Sequence, residues 1–166
     1  KLQFMGDEFG QRLEWNHDRS LDWHVLEHPL HAGLKRWVRD LNRLYTTTGA
    51  LHERDVEPGG FEWIDCNDHQ RSIISFIRRG RHPDDVVLFL CNFTSIPRRH
   101  ELVGAPCGGV WREVLNSDAA VYGGGNVGND GGATAVAEPH HGRPFRLDLT
   151  APPLGIALLR SSGAPP

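Results

Sequence analysis

Apolar residues recur at three- and four-residue spacing between Leu30 and Tyr45, which is typical of one face of an α-helix. Pro29 suits the first helical position, and Gly49 is well placed to end the element. The pattern predicts an amphipathic helix of about four turns. Its broad apolar stripe contains Trp37, so we expect it to pack against a sheet or other helices. The stripe consists of Leu30, Leu34, Trp37, Val38, Leu41, Leu44 and Tyr45.

Beyond residue 50 the period changes, and short runs rich in β-branched and aromatic residues alternate with turn residues. The predicted strands are Phe61–Cys66, Ser72–Arg78, Val86–Phe93, Arg98–Val103, Val110–Asn116, Phe145–Thr150 and Leu154–Arg160. Strands at such intervals, without helices between them, predict an antiparallel β-sandwich. We therefore divide the chain into residues 1–50, an all-β domain at 51–160 and a tail at 161–166.

The chain begins with a short apolar run, Leu2–Met5, which Gly6 interrupts. We interpret this run as a buried strand that leads into a polar, aromatic loop. A buried strand needs neighbours on both faces, so we expect the rest of its sheet to precede Lys1. The first 45 residues would then lack most of their cover.

Composition narrows the classes of function. The net charge is −3 and the basic residues are scattered, so we expect no nucleic-acid partner. No apolar run approaches the ~20 residues of a membrane span. The cysteines, Cys66, Cys91 and Cys107, lack metal-ligand or redox spacing. We expect free thiols in a reducing cytoplasm.

Several patterns invite a chemical interpretation. Asp7-Glu8 could be paired catalytic carboxylates, but consecutive strand residues point to opposite faces, so hydrogen bonds to neighbouring loops are favoured. Gly123-x-Gly125-x-x-Gly128 matches a dinucleotide-binding pattern without a predicted helix after it, and we expect a long ordered loop at Ser117–Gly132 instead. The ten histidines show no convincing metal-ligand spacing, so we expect no metal or cofactor.

Three of the five tryptophans, Trp15, Trp23 and Trp63, have polar neighbours in the sequence. An aromatic face flanked by hydrogen-bonding groups suits a sugar ring, which has an apolar face and a rim of hydroxyls. Partial burial in the fold is the competing interpretation for each of them.

Longer motifs along almost the whole chain resemble the glycogen branching enzymes of the α-amylase superfamily. The motifs are FMGDEFGQ, EWNHD, SLDWH, VRDLNRLY, ALHERD, FEWIDCND, CNFTSIPR, WREVLNSD and HGRPFRLDLTAPPLGIALLR. The resemblance implies that Lys1–Met5 is the eighth strand of a (β/α)8 barrel and that the helix is the last barrel helix. The remainder would be the family's C-terminal all-β domain.

The resemblance also implies a reaction. Branching enzymes cleave an α-1,4 glucan chain and join the freed end to a glucose 6-hydroxyl, using two aspartates and a glutamate. Those acids belong to motifs upstream of the eighth strand, and none of these motifs occurs here. We therefore assign no catalytic residue and expect this chain alone to be inactive.

The resemblance leaves three candidates for substrate contact. Glu8 and Trp15 would lie at the rim of the cleft, and Trp63 would form an accessory sugar platform. The expected partners are an α-glucan, such as glycogen or amylose, and the preceding part of the barrel. The alternative is a free-standing glucan-binding or scaffolding module without catalysis.

Overall fold

A computed structural model describes residues 3–162 of the chain. These residues form one α-helix, eight β-strands and five short 3₁₀ segments. The helix is α1 (Pro29–Thr47), and the strands are β1 (Phe61–Asp65), β2 (Ile73–Arg79), β3 (Val86–Asn92), β4 (Arg98–Ala105), β5 (Gly109–Asn116), β6 (Gly132–Ala135), β7 (Phe145–Ala151) and β8 (Gly155–Ser161).

The strands form two antiparallel sheets that face each other. The larger sheet has the order β1-β2-β3-β8-β5-β6, and β4 pairs with β7 in the smaller one. Between the sheets lies a core that includes the fully buried side chains of Leu88, Trp111, Leu147 and Leu159. The predicted all-β antiparallel domain is thereby confirmed.

Alternation along β2 follows the prediction from the sequence. Ile73, Ser75 and Ile77 are buried, whereas the intervening Phe76 and Arg78 are only partly buried. Because successive strand residues point to opposite faces, one face of β2 contributes to the sandwich core and the other faces outward.

Helix α1 packs on the outer face of the larger sheet. Leu115 and Leu158 of the sheet are buried in a second cluster, against which Trp37 and Leu41 of the helix pack. The expectation that the first 45 residues lack cover is therefore wrong for α1. The reason is that the outward positions of the central strands β3 and β8 are themselves apolar and need a covering layer.

The predicted strand at Leu2–Met5 is wrong for the part that the structure describes. Gln3 and Phe4 are not in a strand, Met5 begins a turn, and Phe4 and Met5 are each 54% exposed. A parallel strand requires partner strands for its backbone hydrogen bonds, and residues 3–162 provide none at this place. Lys1 and Leu2 lie outside the described residues.

Two further boundaries differ from the prediction. Strand β6 was not predicted, because Gly132–Ala135 contains only small residues and Thr134. Strand β8 extends through Ser161, one residue into the predicted tail. Residues 163–166 lie outside the described part of the chain.

Candidate functional site

Aromatic side chains form a continuous strip across the outer face of the larger sheet. The strand register aligns Trp63 on β1 with Phe76 on β2, and Phe76 with Phe89 on β3. The Phe76 and Phe89 rings are stacked with centroids 4.5 Å apart, and the Trp63 ring lies 5.7 Å from that of Phe76. Phe61 completes the strip at a right angle to Trp63, 4.8 Å away. We call these four residues the aromatic strip.

The strip is covered at one end only. Phe89 packs in the cluster beneath α1, whereas Phe61 and Trp63 on the edge strand are 40% and 49% exposed. Between α1 and the strip runs a groove of about 590 Å³. The predicted platform residue Trp63 therefore lies at the solvent-facing end of a larger apolar surface.

Hydrogen bonds fix the backbone that carries Trp63. The buried side chain of Arg143 donates to the Trp63 carbonyl at 3.0 Å and pairs with Glu62 at 2.9 Å. Burial acts to raise the pKa of Glu62, but hydrogen bonds from Arg79 and Arg143 outweigh it and lower the pKa overall. Glu62 is thus an ionised, paired carboxylate that holds the edge strand in place.

The other two candidates lie in the N-terminal segment. Glu8 accepts a hydrogen bond from the Gly6 amide at 3.1 Å, and Asp7 accepts one from the Phe4 amide at 3.3 Å. Both carboxylates thus bond to backbone within their own turn, which favours the structural interpretation of this acidic pair. Trp15 is 38% exposed, and its ring packs edge-on against Phe4 with centroids 5.9 Å apart.

Trp23 has partners that account for its placement. Its ring packs on buried Phe9 at 4.9 Å, and the Lys35 ammonium lies 5.3 Å from its centroid. The cation over the indole face and the contact with Phe9 support partial burial for this residue.

The glycine pattern at 123–128 lies in an ordered loop. The carboxylate of Asp118 accepts hydrogen bonds from the amides of Gly125 and Val127, both at 2.9 Å. The next regular element after the loop is the strand β6, so the helix that a dinucleotide phosphate would need does not follow here.

Searches for two other kinds of site gave plain results. Within residues 3–162, no three His, Cys, Asp or Glu side chains are grouped so that they could hold a metal ion. None of the helices in this part of the chain combines the length and the apolar character that crossing a membrane requires.

The loop at residues 117–132 holds α1, the other wall of the groove, against the sheet. The Tyr122 hydroxyl donates to Asp40 at 2.9 Å, and its ring packs edge-on against Trp37 at 5.3 Å. Arg36 donates to the Val121 carbonyl at 2.9 Å. The helix approaches so closely at Gly33 that an added Cβ would lie 2.2 Å from the Tyr122 carbonyl oxygen.

Gly33→Ala is therefore expected to lower the free energy of unfolding by about 1–3 kcal/mol, as overpacking does. The sign is informative, because alanine is intrinsically better than glycine in a helix by ~1 kcal/mol. Urea denaturation followed by circular dichroism measures the change. An increase in stability would show that α1 is not pressed against this loop.

The same contacts predict a dependence on pH. The Arg39 hydrogen bond lowers the pKa of Asp40 below 3.8, against a smaller opposing effect of burial, and Tyr122 adds to the lowering. Burial, followed by the bond to Asp40, raises the pKa of Tyr122 to about 12, so its hydroxyl stays a donor at neutral pH. A carboxyl with a lowered pKa stabilises the fold above its ordinary pKa, and this contribution is lost as the pH falls through the lowered value.

Asp40→Asn is therefore expected to make stability fall less steeply as the pH drops below 3.8, the ordinary value. Urea midpoints measured between neutral pH and pH 3 check this. Identical slopes for Asp40→Asn and the unmodified chain would contradict the assignment.

Comparison with known proteins was made after this geometry. The family described as "Alpha amylase, C-terminal all-beta domain" matches residues 63–162. The 1,4-alpha-glucan branching enzyme GlgB of Aquifex aeolicus is 51% identical over 163 residues, which are 98% of this chain and 26% of that protein. The GlgB of Cereibacter sphaeroides is 56% identical over 156 residues, 93% of this chain and 21% of that protein. The GlgB of Aromatoleum aromaticum is 52% identical over 159 residues, 96% of this chain and 25% of that protein. The chain thus spans about a quarter or less of the length of these relatives.

Proposed function

Since the chain belongs to the family of alpha-amylase C-terminal all-beta domains, we propose that it is the C-terminal part of a 1,4-α-glucan branching enzyme. The observation that carries this proposal is identity of about half over nearly the whole chain to proteins of that name. Such an enzyme transfers an α-1,4 glucan segment to a glucose 6-hydroxyl and thereby forms an α-1,6 branch.

Residues 1–50 would be the last β/α unit of the enzyme's (β/α)8 barrel. The exposure of large apolar side chains in this segment supports this assignment. Leu13 is 53% and Leu30 is 70% exposed, in addition to Phe4 and Met5. Isolated apolar side chains are common on surfaces, but a series of them along one segment marks a face that another body covers. The remaining barrel units would be that body, and they would supply the partner strands that Leu2–Met5 needs.

The catalytic acids would come from those upstream units, since reacting groups in barrel enzymes are supplied by the ends of several strands. The chain's own residues would contribute support and substrate contacts. No metal or cofactor is needed for the proposed transfer.

The thiols support a reducing compartment, and we place the enzyme in the cytoplasm. Cys66, Cys91 and Cys107 are all free. Burial raises the pKa of Cys91 to about 11, so this thiol behaves as a small apolar side chain rather than as a nucleophile.

The test is a paired assay with amylose. The longer protein that the gene encodes is expected to lower the absorbance of the amylose–iodine complex and to create α-1,6 linkages visible by proton NMR. The 166-residue chain is expected to do neither. Branching by this chain alone, or a longer protein that does not branch amylose, would contradict the proposal. A gene that encodes only this chain, with a product that binds amylose, would favour the non-catalytic alternative.

Trp63 is the residue that we assign to glucan binding on the all-β domain. It exposes about half of its surface beside Phe61 on an edge strand, and Arg143 fixes its backbone. Trp63→Ala is expected to weaken the affinity of the chain for maltoheptaose by about 5- to 10-fold, in line with the loss of ~1 kcal/mol of aromatic contact.

Isothermal titration calorimetry measures this affinity. The matched control is Phe93→Ala, which removes another aromatic side chain that is 62% exposed but lies outside the aromatic strip. Equal affinities of Trp63→Ala and Phe93→Ala would contradict the assignment. Glu8 and Trp15 would contact the glucan at the rim of the catalytic cleft, so Glu8→Gln and Trp15→Ala belong in the longer protein, where a raised KM is expected.

A further inference from the structure

The groove between α1 and the aromatic strip has an apolar floor. Leu41 of the helix and Phe76, Phe89 and Leu158 of the sheet line it. Its volume of about 590 Å³ leaves these side chains without a covering layer along part of their length. Apolar surface of this extent loses stabilisation in water, in proportion to the area left exposed.

The polar groups at the rim are already engaged within the chain. Arg78 donates to the Gly60 carbonyl at 3.0 Å and pairs with Asp55. The Tyr45 hydroxyl donates to Asp55 at 3.4 Å. A sugar ring needs hydrogen-bonding groups that converge on its hydroxyls, so the groove floor suits apolar side chains better than a glucan.

We propose that the groove receives an apolar segment from the part of the branching enzyme that precedes this chain. This inference rests on the proposed function. Gln3 forms part of the groove wall, so the backbone passes the groove where it leads to the preceding part of the protein. The exposed side chains of Phe4 and Met5 directly follow Gln3 and continue the apolar surface. The relatives contain about three times as much protein outside the matched part as within it, which is ample to provide the segment.

Thiol labelling tests this placement. Asn42 lines the groove from α1 and has an exposed side chain, so Asn42→Cys places a probe at the groove without altering its apolar floor. Val56, which is 98% exposed and does not line the groove, provides the control Val56→Cys. Both variants are made in a Cys66→Ser background, because Cys66 is the native thiol that lies exposed.

The rate of maleimide labelling is compared between the 166-residue chain and the longer protein. At Asn42→Cys we expect labelling at least about tenfold slower in the longer protein, because thiol reactivity requires access. At Val56→Cys we expect equal rates. Equal rates at Asn42→Cys as well would overturn the proposal.

Other occupants give different results, and each would overturn the proposal. Protection of Asn42→Cys in the 166-residue chain by maltoheptaose would identify a glucan in the groove. Protection in that chain that disappears on dilution would identify a second copy of the chain. The same preparation of longer protein is assayed for branching of amylose. Protection without branching would retain the groove contact and reject the proposed function, and branching without protection would do the reverse.

Discussion

Trp111→Ala is expected to lower the free energy of unfolding by about 3–5 kcal/mol, the usual range for removing a buried tryptophan. The side chain is completely buried between the two sheets, and its indole N–H donates to the Cys107 carbonyl at 3.3 Å. Alanine would leave a large cavity and an unpaired carbonyl. Urea denaturation followed by far-UV circular dichroism measures the loss without depending on tryptophan fluorescence.

The matched control is Trp63→Ala, because this tryptophan lies on the same sheet but is 49% exposed. Its replacement is expected to cost less than half as much as that of Trp111, since the energy lost scales with the area that folding removes from water. Equal losses for the two variants would mean that the sandwich core is not centred on Trp111.

Leu158→Ala is expected to destabilise the chain by about 2–5 kcal/mol. Leu158 lies on β8, is 1% exposed, and belongs to the cluster on which α1 packs. The lost side chain would leave a cavity between the helix and the sheet. We therefore expect the helical circular dichroism signal to fall at lower urea concentration than in the unmodified chain.

Leu154→Ala is the control for this position, because Leu154 is 72% exposed and lies just before the same strand. It is expected to change stability by no more than about 0.5 kcal/mol, as for an ordinary surface substitution. A similarly small effect of Leu158→Ala would show that α1 contributes little to the stability of the sandwich.

Local pattern was sufficient to predict most of the secondary structure. Alternation and turn residues located the strands that carry large side chains, such as β2, and three- and four-residue spacing located α1. Strand β6 could not be predicted, because Gly132–Ala135 is defined by its pairing with β5 rather than by its own residues. The predicted strand at Leu2–Met5 failed for a related reason, since a strand requires partners that a local pattern does not reveal.

The surface that α1 covers was harder to predict. The apolar stripe of the helix required a partner, but other barrel helices and a sheet were equally compatible with it. A signal was present in β3, where Val87 and Leu88 are both apolar although they point to opposite faces. Apolar residues at both alternating positions are typical of a strand that is buried on both sides.

The aromatic strip depends on register, which is why only Trp63 was proposed from the sequence. Phe61, Phe76 and Phe89 lie on three different strands and meet only because β1, β2 and β3 pair as they do. Outward-facing aromatic residues in neighbouring predicted strands were the available signal. The contact of Arg143 with the Trp63 backbone spans 80 positions of sequence and had no local signal.

Hydrogen exchange on the 166-residue chain, read amide by amide, tests most directly whether α1 and the sandwich form one cooperative unit. The packing on Leu115 and Leu158 and the loop contact at Tyr122 predict that central α1 amides, such as that of Leu41, exchange as slowly as those of β3 and β8. Amides of the exposed segment around Leu13 and Trp15 are expected to exchange quickly. Rapid exchange throughout α1, with β3 and β8 still protected, would show that the helix is not held by the sheet.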